Sequence, residues 1–273
     1  MGGALLARWI DHGLDPETVT IIDPAPRLVP TGYRGAIVAD ASAAAHIAPN
    51  PEVVVLGIKP QLLPAVAADM RPWLGASPLV FSMLAGVRIA ALAQAFSTAR
   101  IVRMMPNTPA RIGKGLTALS GTTALDADRA LVEMLAAAAG KFLWLDDESR
   151  FDAVTAVSGS GPAFVFRFIE ALAGAGEAAG LDAKTAALLA LETVVGAAAL
   201  ADEADTAPAL LRQQVTSPNG TTQAGLDVLD GDGALSSLMR ATIRAAAERS
   251  RALAAAADAA FDAVAVREPV KAD

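Results

Sequence analysis

The stretch Val53-Val54-Val55-Leu56-Gly57-Ile58-Lys59-Pro60-Gln61 is a run of β-branched and aliphatic residues that stops at a glycine and a proline. A run this short, apolar without alternation and closed by chain breakers, suits a strand buried on both faces. The pattern recurs. Residues 19–23, 53–58, 79–82, 101–104 and 142–145 all read as strands, and helix-like stretches at 62–70, 89–96 and 126–139 lie among them. Strand–helix–strand alternation predicts an α/β unit with a mostly parallel sheet covered by helices on both faces.

After about residue 147 the strand signals stop. Alanine-rich helical stretches follow at 149–157, 162–179, 183–204 and 233–260, punctuated by Gly180, Pro208 and the segment 216–220. The chain therefore divides into an α/β domain over 1–147 and an all-helical domain over 148–273, which agrees with roughly 100–200 residues per domain. Residues 184–200 are too apolar for a solvated helix face. A subunit interface would cover them, and so would a self-contained bundle.

Composition excludes several classes of function. Lysine and arginine number 22 against 29 aspartates and glutamates, a net charge of −7 with no basic tract. Duplex binding needs clustered cations, so no nucleic-acid partner is expected. Hydrophobic residues make up 53% and charged residues 19%, which excludes disorder over most of the chain. The absence of cysteine removes disulfides, thiolate nucleophiles and Cys-based zinc sites. The two histidines, His12 and His46, stand apart, and no metal site is expected. Charges, glycines or prolines interrupt every apolar run before the length of about 18 residues that suggests a membrane span. The N-terminus lacks the basic flank and cleavage site of a signal peptide. A soluble cytoplasmic protein without a membrane partner is the expectation.

Met1-Gly2-Gly3-Ala4-Leu5-Leu6 runs straight into a helical pattern, and the strand at 19–23 ends in Asp23. In a dinucleotide-binding unit an acidic residue about 20 positions after the glycine loop takes the ribose hydroxyls. Gly2 thus stands where the third glycine of G-x-G-x-x-G would stand, and the first strand with its two glycines is expected upstream of Met1. Without them, coenzyme binding is expected to be badly impaired. Ligands of open parallel sheets bind beyond the carboxyl ends of the strands. There the chain places Gly57-Ile58-Lys59-Pro60-Gln61, Ser82-Met83-Leu84-Ala85-Gly86 and Arg103-Met104-Met105-Pro106-Asn107-Thr108-Pro109.

Thr216-Ser217-Pro218-Asn219-Gly220-Thr221-Thr222 reads as a helix start. Thr216 or Ser217 would cap it and Pro218 would occupy its first position. The N–H groups of residues 219–222 would then form an anion site suited to a small carboxylate, which Gly220 lets approach closely.

These segments, together with Ala156-Val157-Ser158-Gly159-Ser160-Gly161-Pro162-Ala163, resemble the pyrroline-5-carboxylate reductase family over nearly the whole chain. The resemblance implies a Rossmann-type domain, with its first strand missing here, followed by an all-helical dimerisation domain. It implies a homodimer, often within larger rings, whose active site is completed across the dimer. It also implies NADPH as coenzyme, with NADH second, and 1-pyrroline-5-carboxylate as substrate. By the same resemblance Gly2, Asp23, Gly57, Ile58, Lys59, Pro60, Met83, Leu84 and Ala85 would line the coenzyme, with Asn107 and Thr108 near its reacting end. The substrate carboxylate would sit on the amides of Gly220, Thr221 and Thr222, with Glu148 and Gln214 close by. The Thr222 hydroxyl would face the ring nitrogen as the catalytic group. Ser158 to Pro162 would form a tight helix start that serves packing.

A carboxylate at Asp23 prefers the free ribose hydroxyl of NADH, and Arg27 is the cation that would offset it for NADPH. Two rival readings differ in class. One is a reductase of the same architecture acting on another imine or a hydroxy acid. A hydroxy-acid enzyme of that kind needs a lysine acid–base in the stretch 158–170, which has none. The other is a non-catalytic oligomeric relic that lacks the coenzyme-binding strand.

Overall fold

The computed structural model describes residues 1–265 apart from 27, 76, 123 and 124. The elements are α1 (Gly2–Asp11), β1 (Thr20–Ile22), β2 (Ala36–Val38), α2 (Ala41–Ile47), β3 (Val53–Leu56), α3 (Leu63–Met70), β4 (Leu79–Ser82), α4 (Ile89–Phe96), β5 (Ile101–Met105), β6 (Gly115–Thr122), α5 (Asp126–Ala138) and β7 (Gly140–Trp144). There follow α6 (Phe151–Val154), α7 (Gly161–Ala178), α8 (Ala183–Glu203), α9 (Pro208–Gln214), α10 (Thr221–Asp230) and α11 (Ala234–Ala265). Two compact units result, one from Met1–Gly159 with the described residues from Ala246 to Ala265, the other Ser160–Ala245. The first unit thus runs beyond the 147–148 division expected from the sequence. Phe151 and Ala156 are buried, and the Ser250 hydroxyl donates to Asp152 Oδ1 at 2.6 Å, which ties the middle of α11 to α6.

In the first unit β3-β4-β5-β6-β7 form one sheet and β1-β2 another. All neighbours are parallel except β5 and β6. Strand residues alternate between two cores, as a period of two requires. Leu79, Phe81, Val102 and Met104 join Leu5, Leu6 and Trp9 of α1 and Val132 and Leu135 of α5 on one side. Val80 and Ile101 join Leu63, Ala67 and Met70 of α3 and Leu92, Ala95 and Phe96 of α4 on the other. The predicted two-sided sheet is therefore present at its centre. β1 and β3 each end their sheet, and Ile21 and Val53 share the α1 core without pairing to each other.

Four elements were not anticipated: β2, α2, α9 and β6. The last is the longest strand, eight residues of mostly small and hydroxylated side chains, Gly-Leu-Thr-Ala-Leu-Ser-Gly-Thr. Hydrophobicity gives little sign of it because close packing demands the small residues. A Cβ at Gly121 would run into the Ile101 carbonyl.

In the second unit Gly176 of α7 lies against Ala186 of α8, where an added Cβ would come within 3.3 Å. Ala186 and Ala190 are buried, whereas Leu188, Leu189, Leu191, Val195 and Leu200 are exposed. Contrary to the sequence reading, α8 is long and apolar enough to cross a membrane by length and composition.

Candidate functional site

The carboxyl ends of β3 and β4 and the start of α1 bring three of the expected coenzyme residues together. A Cβ built on Gly57 would lie 3.7 Å from Met83 Sδ and 4.0 Å from the Gly2 Cα. A Cβ on Gly2 would meet nothing within 4 Å. The main chain is thus bare at the first turn of a helix, where a phosphate group could approach closely. Ile58 and Leu84 turn into the α3–α4 core, so their side chains leave this edge. Lys59 and Ala85 are exposed, and Pro60 opens a short 3-10 turn.

Asp23 follows β1, is exposed, and accepts the Ala25 N–H at 2.9 Å through Oδ1. Arg27 lies outside the described residues. Asn107 leaves β5 in extended conformation just before the 3-10 turn that starts at Thr108. Its Oδ1 accepts the Leu116 N–H at 2.9 Å and its Nδ2 donates to the Ser158 hydroxyl at 3.1 Å. Ser158 sits in a π-turn over Thr155–Gly159, so it anchors this loop, a contact beyond the packing role read for residues 158–162.

Glu148 lies on a turn capped by Asp147, which accepts both the hydroxyl and the amide of Ser149. Those two hydrogen bonds hold the Asp147 carboxyl below the usual aspartate value. Glu148 Oε1 accepts from Arg103 Nη1 at 2.6 Å and from the Ile89 N–H at 2.8 Å. Arg103 is the residue that site reasoning from the sequence passed over. The available signal was an arginine inside an apolar buried strand, which demands a buried partner.

The helical unit carries Gln214, Gly220, Thr221 and Thr222. Gln214 ends α9, and both threonines are exposed. The helix start differs from the expectation. Gly220 is the N-cap and α10 begins at Thr221, while the Thr216 hydroxyl donates back to the Arg212 carbonyl at 2.6 Å. Asn219 has φ 58°, so Pro218 cannot open a helix there. Instead Ser217–Gly220 is a turn with proline second and a left-handed third residue, closed by the Gly220 N–H on the Ser217 carbonyl at 3.0 Å. That bond takes up the Gly220 amide and leaves Thr221 and Thr222 as first-turn donors.

Among the described residues no group of three or more His, Asp or Glu side chains could hold a metal ion. The family model for pyrroline-5-carboxylate reductase dimerisation matches residues 148–253. The chain is 40% identical to pyrroline-5-carboxylate reductase of Synechocystis over 93% of its own length and 94% of the relative's. It is 42% identical to that of Pseudomonas aeruginosa over 74% of this chain and 75% of the other. Among solved structures, the Coxiella burnetii pyrroline-5-carboxylate reductase is 33% identical with a TM-score of 0.82, covering 92% of this chain and 93% of that one. The Plasmodium falciparum pyrroline carboxylate reductase, solved with NADP bound, is 26% identical with a TM-score of 0.79 over 93% and 94% of the two chains. With a Rossmann-type first unit, a helical second one and relatives of this identity over almost its full length, the chain belongs to the pyrroline-5-carboxylate reductase family.

Proposed function

We propose that the protein reduces 1-pyrroline-5-carboxylate to L-proline, the last step of proline biosynthesis, with NADPH as coenzyme and NADH as second choice. The observation that carries the reading is the convergence of Gly2, Gly57 and Met83 at one sheet edge, in a chain of this family. The NADP held by the Plasmodium relative supports the choice of coenzyme. The relatives do not favour a hydroxy-acid reductase or a relic.

When bound, the reduced nicotinamide supplies a hydride to the C=N carbon of the cyclic imine. The chain's own residues bind and orient. Gly2 and residues 57–60 would hold the coenzyme through main chain, and Met83 to Ala85 would line its nicotinamide, with Asn107 and Thr108 near the reacting end. Asp23 would take the ribose. The Thr221 and Thr222 amides would carry the substrate carboxylate, with Gly220 permitting close approach and Gln214 beside it. The Thr222 hydroxyl would orient the ring nitrogen or relay its proton. A protonated imine is already electrophilic, so alignment supplies much of the rate.

The protein would act as a soluble cytoplasmic homodimer, or a larger ring. Support comes from the dimerisation model, whose matched residues span α8, so a second copy rather than lipid would cover its apolar face.

The deciding experiment follows NADPH and NADH oxidation with 1-pyrroline-5-carboxylate, with 1-pyrroline and a 3-hydroxy acid with NADP as controls. Turnover that needs the substrate carboxylate is expected. Turnover of the hydroxy acid alone would overturn the reading.

A further inference from the structure

We infer that Arg103 and Glu148 form a positioning pair that fixes the Ile89 amide, and through it the segment 83–88 at the coenzyme edge. The inference rests on the reading that Met83 to Ala85 lines the coenzyme.

Arg103 is 6% exposed on β5, between strand residues Val102 and Met104 that are themselves buried. A cation there is tolerated only with close compensation. Its Nη1 donates to Glu148 Oε1 at 2.6 Å, and its guanidinium lies 4.4 Å over the Phe151 ring. Both contacts use the planar cation, which a lysine would reproduce poorly.

The same Glu148 oxygen reaches a third element. Ile89 opens α4, an eight-residue helix whose N-cap, Arg88, makes no side-chain cap. A first-turn amide has no partner inside its helix. Glu148, 59 residues later, accepts the Ile89 N–H at 2.8 Å and brings a negative charge to the positive end of the helix. It is an N-cap supplied from a distant turn.

The segment between β4 and α4 is held at several places, among them the core, where Leu84 and Val87 are buried. The Met83 N–H donates to the Leu56 carbonyl at 3.1 Å at its start. Gly86, at φ 77°, presses against the backbone of Ala254 in its middle. Its end hangs on Glu148. That last hold depends on side-chain charge, and it draws β5, the turn after β7 and α4 together at one carboxylate oxygen. Glu148 therefore serves the site by placing main chain, and its Oε1 is taken up by Arg103 and Ile89.

The test compares the native protein with Glu148→Ala, Glu148→Gln and Arg103→Lys. It reads amide exchange over residues 83–92, NADPH affinity without substrate, and the KM for 1-pyrroline-5-carboxylate at saturating NADPH. Losing the charged cap in Glu148→Ala should speed exchange at Ile89 and weaken NADPH about ten-fold, with the imine KM within about two-fold. Glu148→Gln keeps an acceptor for Ile89 and loses the charge on Arg103, so it should fall between. A raised imine KM with exchange and NADPH affinity unchanged would make Glu148 a direct substrate contact and overturn the inference. Native exchange in every variant would overturn it as well. If Glu148→Ala does not fold, exchange in Glu148→Gln decides alone. The underlying coenzyme reading fails separately if Ala85→Trp leaves NADPH affinity intact, whatever Glu148 does.

Discussion

The indole Nε1 of Trp9 donates to the Leu135 carbonyl at 2.8 Å, a buried bond between residues 126 positions apart. Leu135 is among the last four residues of α5, whose carbonyls lack partners inside the helix. Arg8 Nε takes another of them, the Ala138 carbonyl, at 3.1 Å. α1 therefore caps α5 while its Leu5 and Leu6 fill the core beside it. Trp9→Phe keeps most of the volume and strands the Leu135 carbonyl. It should cost about 1–3 kcal/mol in urea unfolding with an unchanged slope. A native midpoint would show that the bond contributes nothing.

Gly86 combines φ 77° with an added Cβ that would sit 2.6 Å from the Ala254 Cα. Gly86→Ala meets both backbone strain and main chain that cannot yield like a side chain. A loss of more than about 1 kcal/mol is expected in thermal unfolding. Gly2→Ala is the contrast. Its new methyl meets nothing within 4 Å, so folding stability should stay near native while NADPH affinity falls.

Thr222 carries the catalytic proposal. Thr222→Ala should lower kcat on the order of 10²-fold with NADPH affinity unchanged, and Thr222→Ser should recover most of it. Full turnover in the alanine variant would remove the role.

Asp182 caps α8, accepting the Thr185 amide at 3.1 Å and its hydroxyl at 2.6 Å. The hydroxyl bond first, then the amide bond, holds its carboxyl below the usual aspartate value. Because the folded value is the lower one, the cap's contribution is complete above the unfolded aspartate value and fades as pH falls through the folded one. Carboxyl-carbon NMR should place the Asp182 midpoint below the ordinary aspartate range. A midpoint at or above that range would contradict the cap.

Leu188, Leu191 and Val195 recur at helical spacing on α8 and are all exposed. Val195→Lys should shift the protein toward monomer in light scattering, with helicity retained. An unchanged mass would send the interface elsewhere.

Much of this molecule can be read from local pattern. The centre of the sheet declares itself in apolar runs such as 79–82, and α4 and α8 fall within a residue of their expected bounds. The Gly57 and Met83 segments stand at strand ends as the pattern implies. β6 stays hidden because its small residues answer to neighbouring backbone rather than to hydrophobicity. At 216–222 a cap and a tight turn use the same residue types. Only the left-handed Asn219 decides between them, and it moves the helix start to Thr221.

By itself, then, the sequence determined the order of an α/β half and a helical half and the family that order belongs to. Those are properties of period and of short motifs, set by neighbours along the chain. The tertiary structure alone decided that β6 would run antiparallel to β5, that α1 would cap α5, and that Arg103 would find Glu148 45 residues away. Each is a choice of partner across space. Such choices follow from burial, because a cation, an indole N–H or a helix-end carbonyl removed from water must be met by whatever the packing brings beside it.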